Sequence, residues 1–178
     1  MNQTVAWQWP EGLEGGFCMI RLGIIARRVW AMPYVLKFRK AIDRSARVAA
    51  SQGAGLYKSE LIIMGWNHFG YIQHWKDVDS LLAWSHAEPH TNWWREAAER
   101  QRRRGDFSIY HETYIATPNG FEAIYLGLGE WRPGASAFGL LVPPKGTLAT
   151  AKGRISGGTG VPEVTGQAAR SPGRPNLK

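Results

Sequence analysis

Between Phe17 and Ile25 the side chains are apolar except at Arg21 and Gly23, a run that predicts a buried strand. Pro33 then stands where a first helical turn tolerates it, and Val35, Phe38, Ile42, Ala46 and Ala49 recur at three- and four-residue spacing. Lys37, Lys40, Asp43, Arg44 and Arg47 fall between them, so the segment is an amphipathic helix ending near Gly53 and Gly55. Tyr57 to Gly65 and Phe69 to Trp75 read as the strands of a β-hairpin around Trp66-Asn67-His68. In the second strand Phe69, Tyr71, Gln73 and Trp75 share one face, while Gly70, Ile72 and His74 share the other.

Asp77 and Asp79 precede a short helix with Leu81, Leu82 and Trp84, where acids suit the positive end of the dipole. Pro89 ends that run. A second helix is predicted from Thr91 through Trp93, Trp94, Ala97 and Ala98, leaving through Arg102-Arg103-Arg104-Gly105. Phe107 to Ala116 is aromatic and β-branched with period two, hence a strand. Pro118-Asn119-Gly120 signals a turn, and Phe121 to Tyr125 a return strand. The order strand, helix, strand, strand, helices, strand predicts an α+β, ferredoxin-like split βαβ fold: one antiparallel sheet with helices on one face. Residues 1–16 read as an N-terminal arm, 17–142 as the domain, and 143–178 as a basic, Gly/Pro-rich tail expected to be disordered. A sheet with aromatic residues on both faces needs a cover for its second face, most simply a second copy, so a homodimer is expected.

Charge first suggests a polyanion partner, for the net charge is +8. Its distribution weakens that reading. Residues 144–178 hold Lys145, Lys152, Arg154, Arg170, Arg174 and Lys178 against Glu163 alone, so most of the excess lies in the tail. Arg102, Arg103 and Arg104 complement the negative end of a helix, and no specific nucleic-acid partner is expected. Cys18 is the single cysteine, which excludes an internal disulfide or a thiolate zinc site. No apolar run reaches the roughly 18–20 residues of a membrane span, and the early apolar stretch lacks the basic flank of a secretory signal. A cytoplasmic protein is therefore expected.

Chemistry rests on five histidines, His68, His74, His86, His90 and His111. His86 and His90 are four apart, a metal-binding spacing on a helix, but Pro89 interrupts the helix and no third ligand is evident. No metal is expected. In Tyr110-His111-Glu112-Thr113-Tyr114 a strand places His111 with Thr113 on one face and Tyr110, Glu112 and Tyr114 on the other, so His111 and Glu112 cannot share a cavity. His111 on the helix side would look into a pocket roofed by the Trp93 region. Trp93 and Trp94 point about 100° apart, so one can pack on the sheet while the other reaches a pocket wall, with His90 and Asn92 at the same helix entrance. No P-loop, dinucleotide glycine fingerprint or nucleophile elbow is present, and Gly157-Gly158-Thr159-Gly160 reads as a flexible joint.

The ordered set Tyr71-Ile72-Gln73-His74-Trp75-Lys76, Leu81-Leu82-Ala83-Trp84, His90-Thr91-Asn92-Trp93, His111-Glu112-Thr113-Tyr114 and Phe121-Glu122-Ala123-Ile124-Tyr125 resembles the monooxygenase-like family typified by the fumagillin-cluster oxygenase. The resemblance spans about Phe17 to Val142, and Gly139-Leu140 matches a further Gly-Leu. It implies a dimeric α/β barrel, a superfamily that holds cofactor-independent oxygenases of aromatic polyketides, haem-degrading enzymes and aldoxime dehydratases. It also implies signature places for His90, Trp93, His111, Glu112, Tyr114, Glu122 and Tyr125. His74 departs from the usual aromatic residue, Trp94 doubles the helix tryptophan, and Leu126 to Trp131 lacks the family's Asn-Met-Pro run.

Together these readings imply a monooxygenase acting on a small apolar, aromatic or phenolic substrate in a pocket between sheet and helices. His111 or His90 would be the base, with Trp93, Trp94, Asn92, Glu112, Tyr114, Tyr125 and His74 around the substrate. No organic cofactor is expected. The alternative is a non-catalytic ligand-binding or haem-binding dimer.

Overall fold

The computed structural model describes residues 3–156. Strand β1 (Thr4–Gln8) is followed by β2 (Phe17–Ala26), helix α1 (Met32–Ser51), β3 (Leu56–Gly65), β4 (His68–Trp75), α2 (Val78–His86), α3 (His90–Arg104), β5 (Phe107–Ala116), β6 (Ile124–Leu126), β7 (Leu140–Val142) and α4 (Ala151–Ser156). The main sheet is antiparallel in the order β3-β4-β2-β5, and α1, α2 and α3 cover one face. This is the predicted ferredoxin-like α+β arrangement.

Local chemistry sets the helix boundaries. Pro33 occupies the first turn of α1, whose buried stripe is Val35, Ile42, Ser45, Ala46 and Ala49. Asp77 caps α2 by accepting from the Ser80 amide at 2.7 Å, which satisfies an otherwise orphaned N–H. Helix α3 stops at Gly105, whose φ of 57° is left-handed, with three arginines in the last turn.

The two ends of the described chain depart from expectation. The N-terminal arm contains a strand: β1 lies between β6 and β7 in a second antiparallel sheet. The return strand after Asn119 therefore pairs with β1, not with β5. Aromatic burial supplies the reason, because Trp7 and Leu13 form a core with Phe17 and Ala135, and Trp9, Phe121, Tyr125 and Phe138 pack around it. Phe121 stands edge-on to both Trp7 and Phe17, with ring centroids 5.2 and 5.0 Å away. Trp7 Nε1 donates to Ala135 O at 2.9 Å, and Gly139 is required beside it: a Cβ there would lie 1.5 Å from Trp7 Nε1.

Residues 143–156 are likewise structured rather than a disordered tail, ending in α4, whose anchor is Arg154. Buried Arg154 of α4 donates from Nε to Glu122 Oε2 at 2.6 Å and from Nη1 to Leu148 O at 3.0 Å. The rest of the predicted tail, with Gly157-Gly158-Thr159-Gly160, lies outside the described residues.

This second layer covers one end of the main sheet's outer face. His74 is sealed beneath it, its ring 5.8 Å from Phe17 and 5.6 Å from Phe138. Its Nδ1 is buried without a partner. Burial, with Lys58 nearby, lowers its pKa from 6.5 to about 4. Between those values the unfolded chain binds the proton that the folded chain refuses, so stability present above pH 6.5 is lost as the pH falls toward 4. Acidification through this window should cost up to about 3 kcal/mol at this group. Unfolding free energy measured against pH in urea should therefore fall less steeply on acidification in His74→Phe than in the native chain.

Candidate functional site

The alternation of β2, β4 and β5 sends one set of side chains under the helices. The register aligns Leu22 with Tyr71 and His111, and Ile20 with Gln73 and Thr113, on that face. Above it the helices leave a cavity of about 420 Å³. Ile20, Leu22, Gln73, Trp75, Ile109 and His111 contribute from the sheet, Phe38, Ile42 and Ser45 from α1, Leu81, Trp84 and His86 from α2, and His90, Trp93 and Trp94 from α3. No Asp, Glu, Lys or Arg lines it. The size and apolar wall suit a small organic ligand.

A short polar chain crosses this wall. Trp84 Nε1 donates to Ser45 Oγ at 3.1 Å, and Ser45 Oγ lies 3.3 Å from His90 Nε2. An indole N–H only donates, so the Ser45 oxygen receives it and its own hydrogen is free for His90 Nε2. His90 Nδ1 is buried without a partner, and burial lowers the His90 pKa below 6.5, so the ring is neutral at pH 7. Edge contacts from Trp84 at 5.6 Å and Trp93 at 5.0 Å hold it in place. Gln73 is already engaged, accepting from Trp75 Nε1 at 3.2 Å and donating to Ser59 Oγ at 3.2 Å. His111 lies on the exposed side of the cavity, 5.9 Å from the exposed ring of Trp94.

The geometry thus brings His90, His111, Trp93 and Trp94 together and sends the other expected residues elsewhere. Asn92 does not line the cavity, because it donates to Glu88 and accepts from Arg95 Nη1 at 3.0 Å. Glu112 and Tyr114 lie on the outer face by the pleat of β5: Glu112 Oε2 accepts from Arg21 Nη1 and from Tyr114 OH, each at 3.0 Å. Those bonds, Tyr114 first, hold the Glu112 carboxyl below the usual range. His74, on the outer face of β4, lies beneath the second layer and Tyr125 within it, both away from the cavity.

Ser45 is the member that sequence reasoning missed. Its signal was a serine in the buried stripe of α1, between Ile42 and Ala49, where a hydroxyl needs a partner.

Of the imidazoles in this wall, His90 is closed to haem, because its Nε2 faces Ser45 and its Nδ1 is shut in, whereas His86 and His111 line the same cavity; no Lys or Arg in the wall would meet the two propionates. Among the described residues no three His, Cys, Asp or Glu side chains gather as a metal site.

Residues 17–131, well over half of the chain, match the family described as monooxygenase af470-like. No curated protein matches the chain. Among solved structures, an aldoxime dehydratase crystallised with butyraldoxime is 23% identical with a TM-score of 0.57, and covers 76% of this chain and 36% of its own. A second aldoxime dehydratase is 19% identical with the same TM-score, at 76% and 37% coverage. The chain therefore spans about a third of the length of these dehydratases, and the likeness is one of fold. A Listeria monocytogenes ferredoxin-fold protein related to antibiotic biosynthesis monooxygenases is 17% identical with a TM-score of 0.38, covering 62% of this chain and 60% of its own.

A neutral naphthylamine dye, titrated by fluorescence, separates the residues brought together from those sent away. Trp93→Ala should weaken its binding by roughly 10- to 150-fold, for the loss of roughly 1.5–3 kcal/mol of apolar burial. Asn92→Ala and Glu112→Ala should leave it unchanged.

Proposed function

The chain belongs to the monooxygenase af470-like family, and from that footing we propose that it oxidises a small, neutral, aromatic substrate in the cavity beneath its helices. The observation that carries this reading is the Trp84–Ser45–His90 chain in a wall without a charged side chain. Such a wall excludes ionic substrates and favours a flat phenolic ring between tryptophans.

The same chain can move a proton. Ser45 Oγ takes a proton from the substrate and passes its own to His90 Nε2, while the Trp84 N–H steadies the serine oxygen. A neutral, desolvated imidazole is in the form needed to receive it. The substrate anion so formed is electron-rich enough to reduce dioxygen. For an activated methylene the step balances as CH2 + O2 giving C=O + H2O: the carbon loses two hydrogens, one oxygen atom becomes the carbonyl and the other leaves as water. No electron donor beyond the substrate is required. His111 and Trp94, on the cavity's exposed side, orient the ring.

A homodimer is part of the proposal. The second layer covers only one end of the outer face, and the end that carries Arg21, Glu112 and Tyr114 is exposed enough to receive a second copy.

The test is oxygen uptake with anthrone-type substrates. Ser45→Ala and His90→Ala should each lower kcat at least about 100-fold, the usual range for a lost acid–base group. kcat/KM should also decline on the acid side of pH 6.5, as His90 takes up a proton through its lowered pKa. Binding of the same compounds with no oxygen uptake would instead indicate a ligand carrier.

A further inference from the structure

One end of the main sheet combines exposed apolar side chains with unpaired arginines. It is built from three segments: the exit of β2 with the turn Val29–Ala31, the β3–β4 hairpin tip, and the α3–β5 junction. Hydrogen bonds tie them together. Ala26 N donates to Asn67 O at 2.9 Å, Asn67 Nδ2 to Ala26 O at 2.8 Å, and Arg27 N to Asp106 O at 2.8 Å. The Arg100 guanidinium, 4.4 Å from the Tyr34 ring, binds the start of α1 to the same junction.

Four large apolar side chains remain in solvent there: Val29 at 69%, Trp30 at 65%, Ile63 at 63% and Trp66 at 65% exposure. Val29, Trp30 and Trp66 belong to turns, and Ile63 lies near the end of β3 beside the hairpin tip. The acids of this end already have partners, since Asp106 pairs with Arg100 at 2.9 Å, Glu99 with Arg103, and Glu96 faces Lys37 at 3.9 Å. Arg27, Arg28, Arg102 and Arg104 make no ion pair among the described residues. Arg28 instead lies 5.9 Å from the Trp30 ring. Complementing a helix dipole accounts for Arg102 and Arg104 but not for Arg27 and Arg28, which follow a strand.

We propose that this end is a peripheral docking surface for an anionic phospholipid bilayer. Trp side chains favour the headgroup boundary, aliphatic ones the acyl layer just beneath, and arginines the phosphate and serine headgroups around them. Val29 and Ile63 favour lipid over a nucleic acid: bases stack on aromatic faces, and an aliphatic tip offers none. Among the described residues no helix is long and apolar enough to cross a membrane, so the contact is superficial.

Co-sedimentation of the full chain with vesicles tests the proposal, comparing phosphatidylcholine alone with phosphatidylcholine containing about a third phosphatidylserine. Binding should require the anionic lipid and weaken as salt rises. Trp30→Ala/Trp66→Ala keeps every charge, including those of residues 157–178, and should raise the dissociation constant at least about tenfold without moving the thermal transition. Arg27→Gln/Arg28→Gln should raise it about thirtyfold, and it carries the test independently. Unchanged vesicle binding by the tryptophan variant overturns the proposal, because charge elsewhere would then suffice. So does Trp30-dependent binding to single-stranded oligonucleotides without vesicle binding. A fall in oligomeric mass of the tryptophan variant also overturns it, since the patch would then join copies of the chain.

Discussion

Strand β2 sits between β4 and β5 in an unbroken antiparallel register, and its pleat decides which chemistry meets which. Cys18, Ile20, Leu22 and Ile24 face the helices, and with their partners on β4 and β5 they form the core and the cavity floor. Phe17 and Met19 face the opposite way and receive the second sheet, while Arg21 and Gly23 meet the remaining outer face. A one-residue slip would exchange these sets, moving Arg21 into the apolar cavity and Leu22 onto the surface. Gly23 shows how closely the outer face is fitted: the Tyr110 ring lies across it and reaches His68 Nε2 at 3.0 Å, and a Cβ on Gly23 would come within 2.5 Å of the Tyr110 hydroxyl.

In the deep wall of the cavity the physics follows from burial without a charged neighbour. Without a carboxylate or cation in the wall, a charged histidine has nothing to stabilise it, so His90 is held neutral and the serine between it and Trp84 becomes the polar contact of the deep wall. On the proposed reading it is a setting in which a substrate anion, once formed, stays reactive, because bulk water does not shield it and its counter-charge is the imidazolium formed beside it. It differs from an ion-pair site such as Arg21–Glu112, which stands in solvent on the other face, where screening leaves little driving force.

Much of this was legible in the sequence because period and punctuation are local. The apolar run of β2, the stripe of α1, the break at Pro89 and the alternation of β5 give the order of elements, and alternation alone separates His111 from Glu112. The second sheet was not legible. Its strands are short, and β1 finds its partners more than a hundred residues away, drawn by the packing of Trp7, Phe17, Phe121 and Phe138, which no local pattern encodes. The same blindness made 143–156 read as a tail, since α4 is anchored by one arginine on a distant glutamate rather than by an apolar stripe. Motif position brought His90, Trp93 and His111 to the cavity, yet it carried Glu112, Tyr114 and Tyr125 along with them. A motif records neighbourhood in the chain, and a sheet puts neighbours on opposite faces.

On the proposed reading a substrate's polar group meets Ser45 inside the helix-side cavity. A crystal structure of the chain soaked with a neutral naphthol tests it most directly. The ring should lie among Trp84, Trp93 and Ile109, with its hydroxyl in hydrogen-bond reach of Ser45 Oγ. Density for the naphthol on the outer face beside Glu112 and Tyr114, with the cavity lacking it, would rule out Ser45 as the contact.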